Sequence, residues 1–266
     1  MSERTGEDAR EAVVSVDGLK FSYGAGEVLH GLSLVLRAGE VVGLLGPNGA
    51  GKSTTIKILA GILTPGDGTV LVAGHSMPDE ATEAKKRIGY VPESGEMFRS
   101  LTAQEHLELI GRLRDVPEAS LQFRIDRFLD LFGLAEKRHS RLDTYSKGMR
   151  QKVLLSAALI HNPDIVMLDE PLTGLDVSNS LIVRDLISAL AAEGKGILYS
   201  SHVLDVVECV CDRVLIVHEG RLVADGSLED LKSSTESDRL EDVFRLLTDS
   251  PRNASGVSEV VQCLRS

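Results

Sequence analysis

Residues 41–54 read VVGLLGPNGAGKST, and the fold follows from this stretch. Its first five residues read as a short apolar strand. A glycine-rich loop comes next: Gly46, Pro47, Asn48, Gly49, Ala50 and Gly51. Lys52, Ser53 and Thr54 then open a pattern with helical spacing in TIKILAGIL (55–63), which stops at Pro65-Gly66. Glycine, four intervening residues, then Gly-Lys-Ser between a strand and a helix is the pattern of a phosphate cradle. Glycines let backbone N–H groups curl around a phosphate without side-chain interference. A helix starting near Lys52 aims its positive dipole end at the same anion. Lys52 supplies a mobile cation for the β- and γ-phosphates, and the Ser53 hydroxyl is a candidate ligand for Mg²⁺. The bland alternative is a glycine-rich turn before a helix. The strand before and the helix after favour nucleotide binding.

Two further runs, DIVMLDEP (164–171) and GKGILYSSH (194–202), are nearly continuous and apolar, as in strands covered on both faces. Between them SLIVRDLISALAAEG (180–194) is an amphipathic helix ended by Gly194. Strand–helix–strand alternation of this kind implies a parallel sheet. Asp169 and Glu170 close the first of these runs. A strand-terminal Asp beside a phosphate loop holds Mg²⁺, directly or through water. Glu170, one residue on, points elsewhere and is placed to polarise an attacking water. Acidic residues often end strands, so this pair draws its weight from the phosphate loop.

Toward the N-terminus, VVSV (13–16), LSLVL (32–36) and EVVGLL (40–45) read as short strands punctuated by glycines. GTVLVAG (68–74) is hairpin-like, and IGYVPE (88–93) is another strand. Residues 101–161 are mostly helical, with a capping-box pattern at Thr102 and Glu105. RVLIVHEGRLVADG (213–226) reads as a hairpin turning at Glu219-Gly220. The chain then becomes polar and charged.

Forty acidic against 29 basic residues, a net charge of -11, argue against a dedicated nucleic-acid binder and against adhesion to anionic lipid. No segment approaches the roughly 20 apolar residues of a membrane span. MSERTGEDAREA at the N-terminus is too polar for a signal peptide, so a cytosolic protein is expected. Cys209, Cys211 and Cys263 make no disulfide framework, and the first two read as buried helix thiols.

Between the two nucleotide motifs lies TYSKGMRQKVLLSAALIHNPDIVMLDEP (144–171). It resembles the signature helix and second nucleotide motif of the ATP-binding cassette (ABC) family. The family's LSGGQ stands here as Tyr145-Ser146-Lys147-Gly148-Met149, matched at Ser146 and Gly148. Ser146 suits a helix N-cap, and Gly148 permits close backbone approach to a γ-phosphate. Thr173-Gly174-Leu175-Asp176 resembles the family's D-loop, and His202 stands where its switch histidine lies. His30, His75, His106, His139, His161 and His218 have no such context. Tyr23 in KFSYG resembles the aromatic that stacks on adenine, the alternative being a core aromatic. One position departs from the family: its Q-loop Gln is Glu93 here, which accepts but does not donate when ionised, and which adds a candidate metal ligand.

The resemblance implies an α/β P-loop NTPase with a RecA-like parallel sheet, an N-terminal antiparallel β subdomain and an inserted α-helical subdomain at about residues 97–160. An ABC ATP-binding domain spans 12–228, preceded by a disordered tail (1–11) and followed by a C-terminal extension (229–266). It implies an ATPase using ATP and Mg²⁺, with Glu170 and His202 catalytic and Ser53, Asp169 and Glu93 at the metal. Tyr23, residues 46–54, Ser146, Gly148 and Asp176 bind nucleotide. Two such subunits, identical or related, sandwich ATP, with Ser146 and Gly148 acting in trans. A separate multispanning permease docks a cytosolic helix in a groove of the helical insert and so holds the subunit at the cytoplasmic face of the membrane. YSKGMRQK, Glu93 and LEDVFRLLT (240–248) are similar to the type-2 export group. The competing expectation is a non-transport ABC ATPase acting on ribosomes or DNA. Such proteins carry paired cassettes, coiled coils or zinc modules, and none of these is legible here.

Overall fold

The computed structural model describes residues 10–93 and 97–248. Most of the expected N-terminal tail, Cys263 and the rest of 249–266 lie outside the described residues. Strands β1 (Ala12–Tyr23), β2 (Gly26–Arg37), β4 (Asp67–Val72) and β5 (His75–Ser76) form an antiparallel sheet in the order β2-β1-β4-β5. The short strands expected near VVSV and LSLVL are instead two strands of 12 residues each. Gly18 and Gly31 do not end them. Each takes a positive φ (62° and 87°) where the β1–β2 register shifts, so the glycines are absorbed as bulges.

A second sheet has the order β10-β9-β3-β8-β7-β6. It comprises β3 (Val41–Leu45), β6 (Ile88–Val91), β7 (Ile165–Asp169), β8 (Gly196–Ser200), β9 (Arg213–His218) and β10 (Arg221–Ser227). All neighbours run parallel except β10, which returns antiparallel on β9. That return is the expected hairpin: Glu219 and Gly220 both have positive φ (46° and 72°), as a two-residue turn between twisted strands requires. Every residue of β3, β7 and β8 is buried.

Alternation along these strands splits the interior in two. Val42, Leu44, Met167, Leu198 and Leu215 face the antiparallel sheet and helix α1 (Lys52–Leu59). Val41, Leu45, Leu168, Ile197 and Ile216 face the opposite layer of helices. The expected helix through residue 63 stops at Leu59, because Gly61 at φ 68° turns the chain before Pro65 is reached. A short α2 (Ala81–Lys86) leads into β6.

Helices α3 (Ala103–Leu113), α4 (Glu118–Leu131) and α5 (Lys147–Leu159) fill the expected helical region. Thr102 caps α3 with the full reciprocal box to Glu105, satisfying two end donors at once. Helix α6 (Val177–Ala192) connects β7 to β8, and α7 (Leu204–Val210) connects β8 to β9. The pair of thiols is not as expected: Cys209 on α7 is exposed, and Cys211 is buried but lies just past the helix end. No cluster of three or more metal-ligating side chains occurs among the described residues. The polar stretch after Gly226 contains α8 (Leu228–Ser234) and α9 (Leu240–Thr248), which place Leu231, Leu240 and Val243 in the same core as α7.

Candidate active site

The loop 46–51 leaves the end of β3 and enters α1 through Gly51 at φ 108°. Backbone packing dictates glycine at Gly46, and the positive φ together with the Leu29 side chain favours it at Gly51. A Cβ on Gly46 would lie 2.3 Å from the Val217 carbonyl oxygen, and one on Gly51 would lie 2.6 Å from Leu29 Cδ2. The first turn of α1 has no acidic residue and no side-chain cap, so its positive end is not neutralised from within. Lys52 is buried, and its Nζ donates to the carbonyls of Gly46 (2.6 Å) and Pro47 (3.2 Å). Burial lowers its pKa, and the carboxylates of Glu170, Asp169 and Glu93 work in the opposite direction.

Opposite the loop, Asp169 ends β7 with 1% exposure and accepts a hydrogen bond from Ser200 Oγ on β8 (2.7 Å). Glu170 breaks from the strand at φ 50°, an unusual conformation for a residue with a side chain. Its N–H still donates to the Ser200 carbonyl (3.1 Å), while its carboxylate turns to the loop after β8. There Oε1 lies 2.7 Å from His202 Nδ1. Ser201 Oγ accepts from Val203 N–H (3.0 Å), which folds the loop that carries the histidine.

These groups line one cavity of about 660 Å³, bounded by Tyr23, Asn48, Gly49, Gly51, Lys52, Ser53, Thr54, Glu93, Asp169, Glu170 and His202. Tyr23 is 51% exposed at the end of β1, packed edge-on against Phe21, and is therefore not a core aromatic. Gly46, Pro47 and Ala50 belong to the loop but not to the cavity wall.

Three further residues of the sequence reading, remote from the loop, also lie outside this cavity. Ser146 caps α5 by accepting from Met149 N–H (3.2 Å). Gly148 sits against the loop after Glu170, where a Cβ would be 2.4 Å from the Gly174 carbonyl oxygen. Asp176 caps α6, accepting from Asn179 N–H (2.8 Å) and Nδ2 (2.7 Å).

Sequence reasoning missed the supports of the loop. Val28 on β2 also lines the cavity. Gly220 N–H donates to the Ala50 carbonyl (3.1 Å), so the distant β9–β10 turn pins the loop. The Glu219-Gly220 turn was legible; its contact with residue 50 was not.

Residues 29–173 match the family described as ABC transporter. The chain is 40% identical over 220 residues to the ABC transporter ATP-binding protein NatA of Bacillus subtilis (strain 168), covering 82% of this chain and 89% of that protein. It is 36% identical over 219 residues to the Nod factor export ATP-binding protein I of Ralstonia nicotianae, covering 82% and 68%. A solved structure described as an ATP binding subunit of an ABC transporter superposes with a TM-score of 0.85 at 33% identity, over 89% of this chain and all of the other.

Proposed function

The chain belongs to the ABC transporter family and is an ATP-hydrolysing subunit of it, and from that we propose how its own residues perform the work. The observation that carries the reading is the convergence of Lys52, Ser53, Asp169, Glu170 and His202 on one cavity. Lys52 and the amides of residues 49–54 hold the β- and γ-phosphates. Ser53 and Asp169, with Glu93 beside them, offer the oxygen donors that suit Mg²⁺, too few to form a cage without phosphate and water. These oxygens would hold a cation that would supply neutralisation of the phosphate charge there. Glu170 takes the proton of the attacking water, and His202 holds Glu170 and the γ-phosphate in register. Tyr23 offers an exposed ring for the adenine.

Ser146, Gly148 and Asp176 lie away from this cavity, which fits a site completed by a second cassette, its signature helix facing the γ-phosphate across the interface. ATP then acts as the adhesive of a dimer, and hydrolysis releases it. A second groove, of about 610 Å³, lies between the end of α1, β6 and helices α3 and α5. Exposed Ile62 and Phe98 line it, and Tyr90 Oη, His106 Nδ1 and His161 Nδ1 are buried there without hydrogen-bond partners. We assign it to a cytosolic helix of the permease, with an apolar face and at least one polar side chain. No helix among the described residues is long and apolar enough to cross a membrane, so attachment through a permease is the arrangement proposed. Relatives named for export support an exporter over a ribosome- or DNA-directed ATPase.

Lys52→Ala tests the phosphate assignment. Binding of a fluorescent ATP analogue and phosphate release should both be lost while the far-ultraviolet dichroism is retained; unchanged affinity would overturn the cradle.

A further inference from the structure

The stretch after Gly226, left without a role by the motifs, meets the segment behind His202 at Glu208. Glu208 lies on α7, six residues after His202. Its Oε1 accepts from the Leu240 N–H that begins α9 (2.9 Å) and from Lys232 Nζ on α8 (2.9 Å). One carboxylate oxygen thus joins three helices. Both donors hold the carboxyl below the ordinary carboxylate range, the Lys232 hydrogen bond most strongly.

Helix α7 needs such a tether. It has seven residues, no side-chain N-cap, and only Val207 and Val210 buried. Leu231, Leu240 and Val243 belong to the same hydrophobic core as those two valines. On the other side, Arg239 and Glu241 at the start of α9 share a cleft with His202, Leu204, Asp205 and Glu208. The imidazole itself is 67% exposed and meets Glu170 from a loop whose downstream anchor is α7. Where α7 sits therefore sets where His202 points.

We propose that Glu208 is a positioning residue for hydrolysis: by clamping α8 and α9 onto α7 it holds His202 against Glu170, so that the C-terminal helices are part of the catalytic support. This rests on the reading of His202 as the histidine that orders Glu170 and the γ-phosphate. Because the clamp is remote from the phosphate loop, loosening it should lower turnover without weakening ATP binding. A misplacement on the order of an ångström at a catalytic group is costly.

The experiment compares Glu208→Ala, Glu208→Gln, Lys232→Ala and His202→Ala in the full chain. Readouts are steady-state ATPase parameters and the His202 Cε1–Hε1 resonance, identified as the signal lost in His202→Ala. Glu208→Ala should lower kcat about tenfold with KM for ATP nearly unchanged, and should shift or broaden the His202 signal. Glu208→Gln keeps an acceptor for the Leu240 N–H and should recover most of the turnover. Lys232→Ala removes the ion pair but keeps the Leu240 contact, serves as the second variant if Glu208→Ala does not fold, and should show a smaller change of the same kind. An unmoved His202 signal in variants that have lost these contacts overturns the clamp, whatever happens to turnover. Wild-type kcat in His202→Ala would defeat the underlying reading instead; a dead His202→Ala beside a fully active Glu208→Ala would defeat the clamp alone.

Discussion

Glu170 Oε1 and His202 Nδ1 are 2.7 Å apart, although 32 residues and a whole helix separate them along the chain. The contact depends on two local departures from regular structure. Glu170 adopts a left-handed backbone at the end of β7, and the Ser201–Val203 turn presents the imidazole beyond β8. Because β7 and β8 are adjacent and parallel, with Asp169 paired to Ser200, the residues that follow each strand emerge side by side.

Replacing Glu170 with Gln keeps the shape of the side chain and removes the base. Phosphate release should fall by about 100-fold or more, the usual worth of a positioned general base. ATP binding should persist, since Lys52, Ser53 and the loop amides are untouched. Bound ATP that is not consumed should accumulate a dimer on size-exclusion chromatography. A fully active, monomeric Glu170→Gln protein would refute the role assigned to this carboxylate.

Gly220 lies far from every nucleotide motif yet supports the phosphate loop through Ala50. It has φ 72°, and a Cβ there would lie 2.1 Å from the Val28 carbonyl oxygen. Gly220→Ala should therefore destabilise the protein by about 2 kcal/mol, combining backbone strain with displacement of β2. Thermal unfolding reports the loss, and an ATP titration should show weaker binding because both Val28 and the loop move. Wild-type values in both assays would mean that the turn is not a support.

Acidification should weaken the fold through His161. Burial, with the positive charges of Arg114, Arg124 and Lys195, pushes this imidazole down to about 4 from an ordinary 6.5, against the opposing hydrogen bond to the Ile88 carbonyl. Between those two values the unfolded chain takes up a proton that the folded chain refuses. Stability is thus fully present above the ordinary value and falls as the pH drops toward the depressed one. His161→Gln retains a donor for Ile88 and should flatten the dependence of Tm on pH across about pH 7 to 5. An unchanged slope would exclude His161 as its source.

Much of this architecture was readable along the chain because its causes are local. The apolar runs of β3, β7 and β8 and the capping box at Thr102 are set by neighbours a few residues apart. Strand length was misjudged at β1 and β2, where Gly18 and Gly31 looked like ends. Each takes a positive φ at a register shift and is absorbed as a bulge, and the pairing partner that decides this is not visible in the glycine's own neighbours. The cysteines show the same limit: Cys209 and Cys211 read as buried helix thiols, but Cys209 is exposed and Cys211 lies past the helix end, because burial depends on what packs over each.

The phosphate loop, the acidic pair and the order of motifs were thus written into residue types and spacings, since backbone freedom, charge and helix polarity are carried by a residue wherever it is placed. The supports were not. That Gly220 fastens Ala50, that Gly46 has no room for a Cβ beneath Val217, and that Glu208 ties the last helices to the segment behind His202 are facts of distance between remote parts of the chain. Such contacts arise only once the two sheets and their helices are packed, because close packing brings together groups whose sequence positions bear no relation to each other.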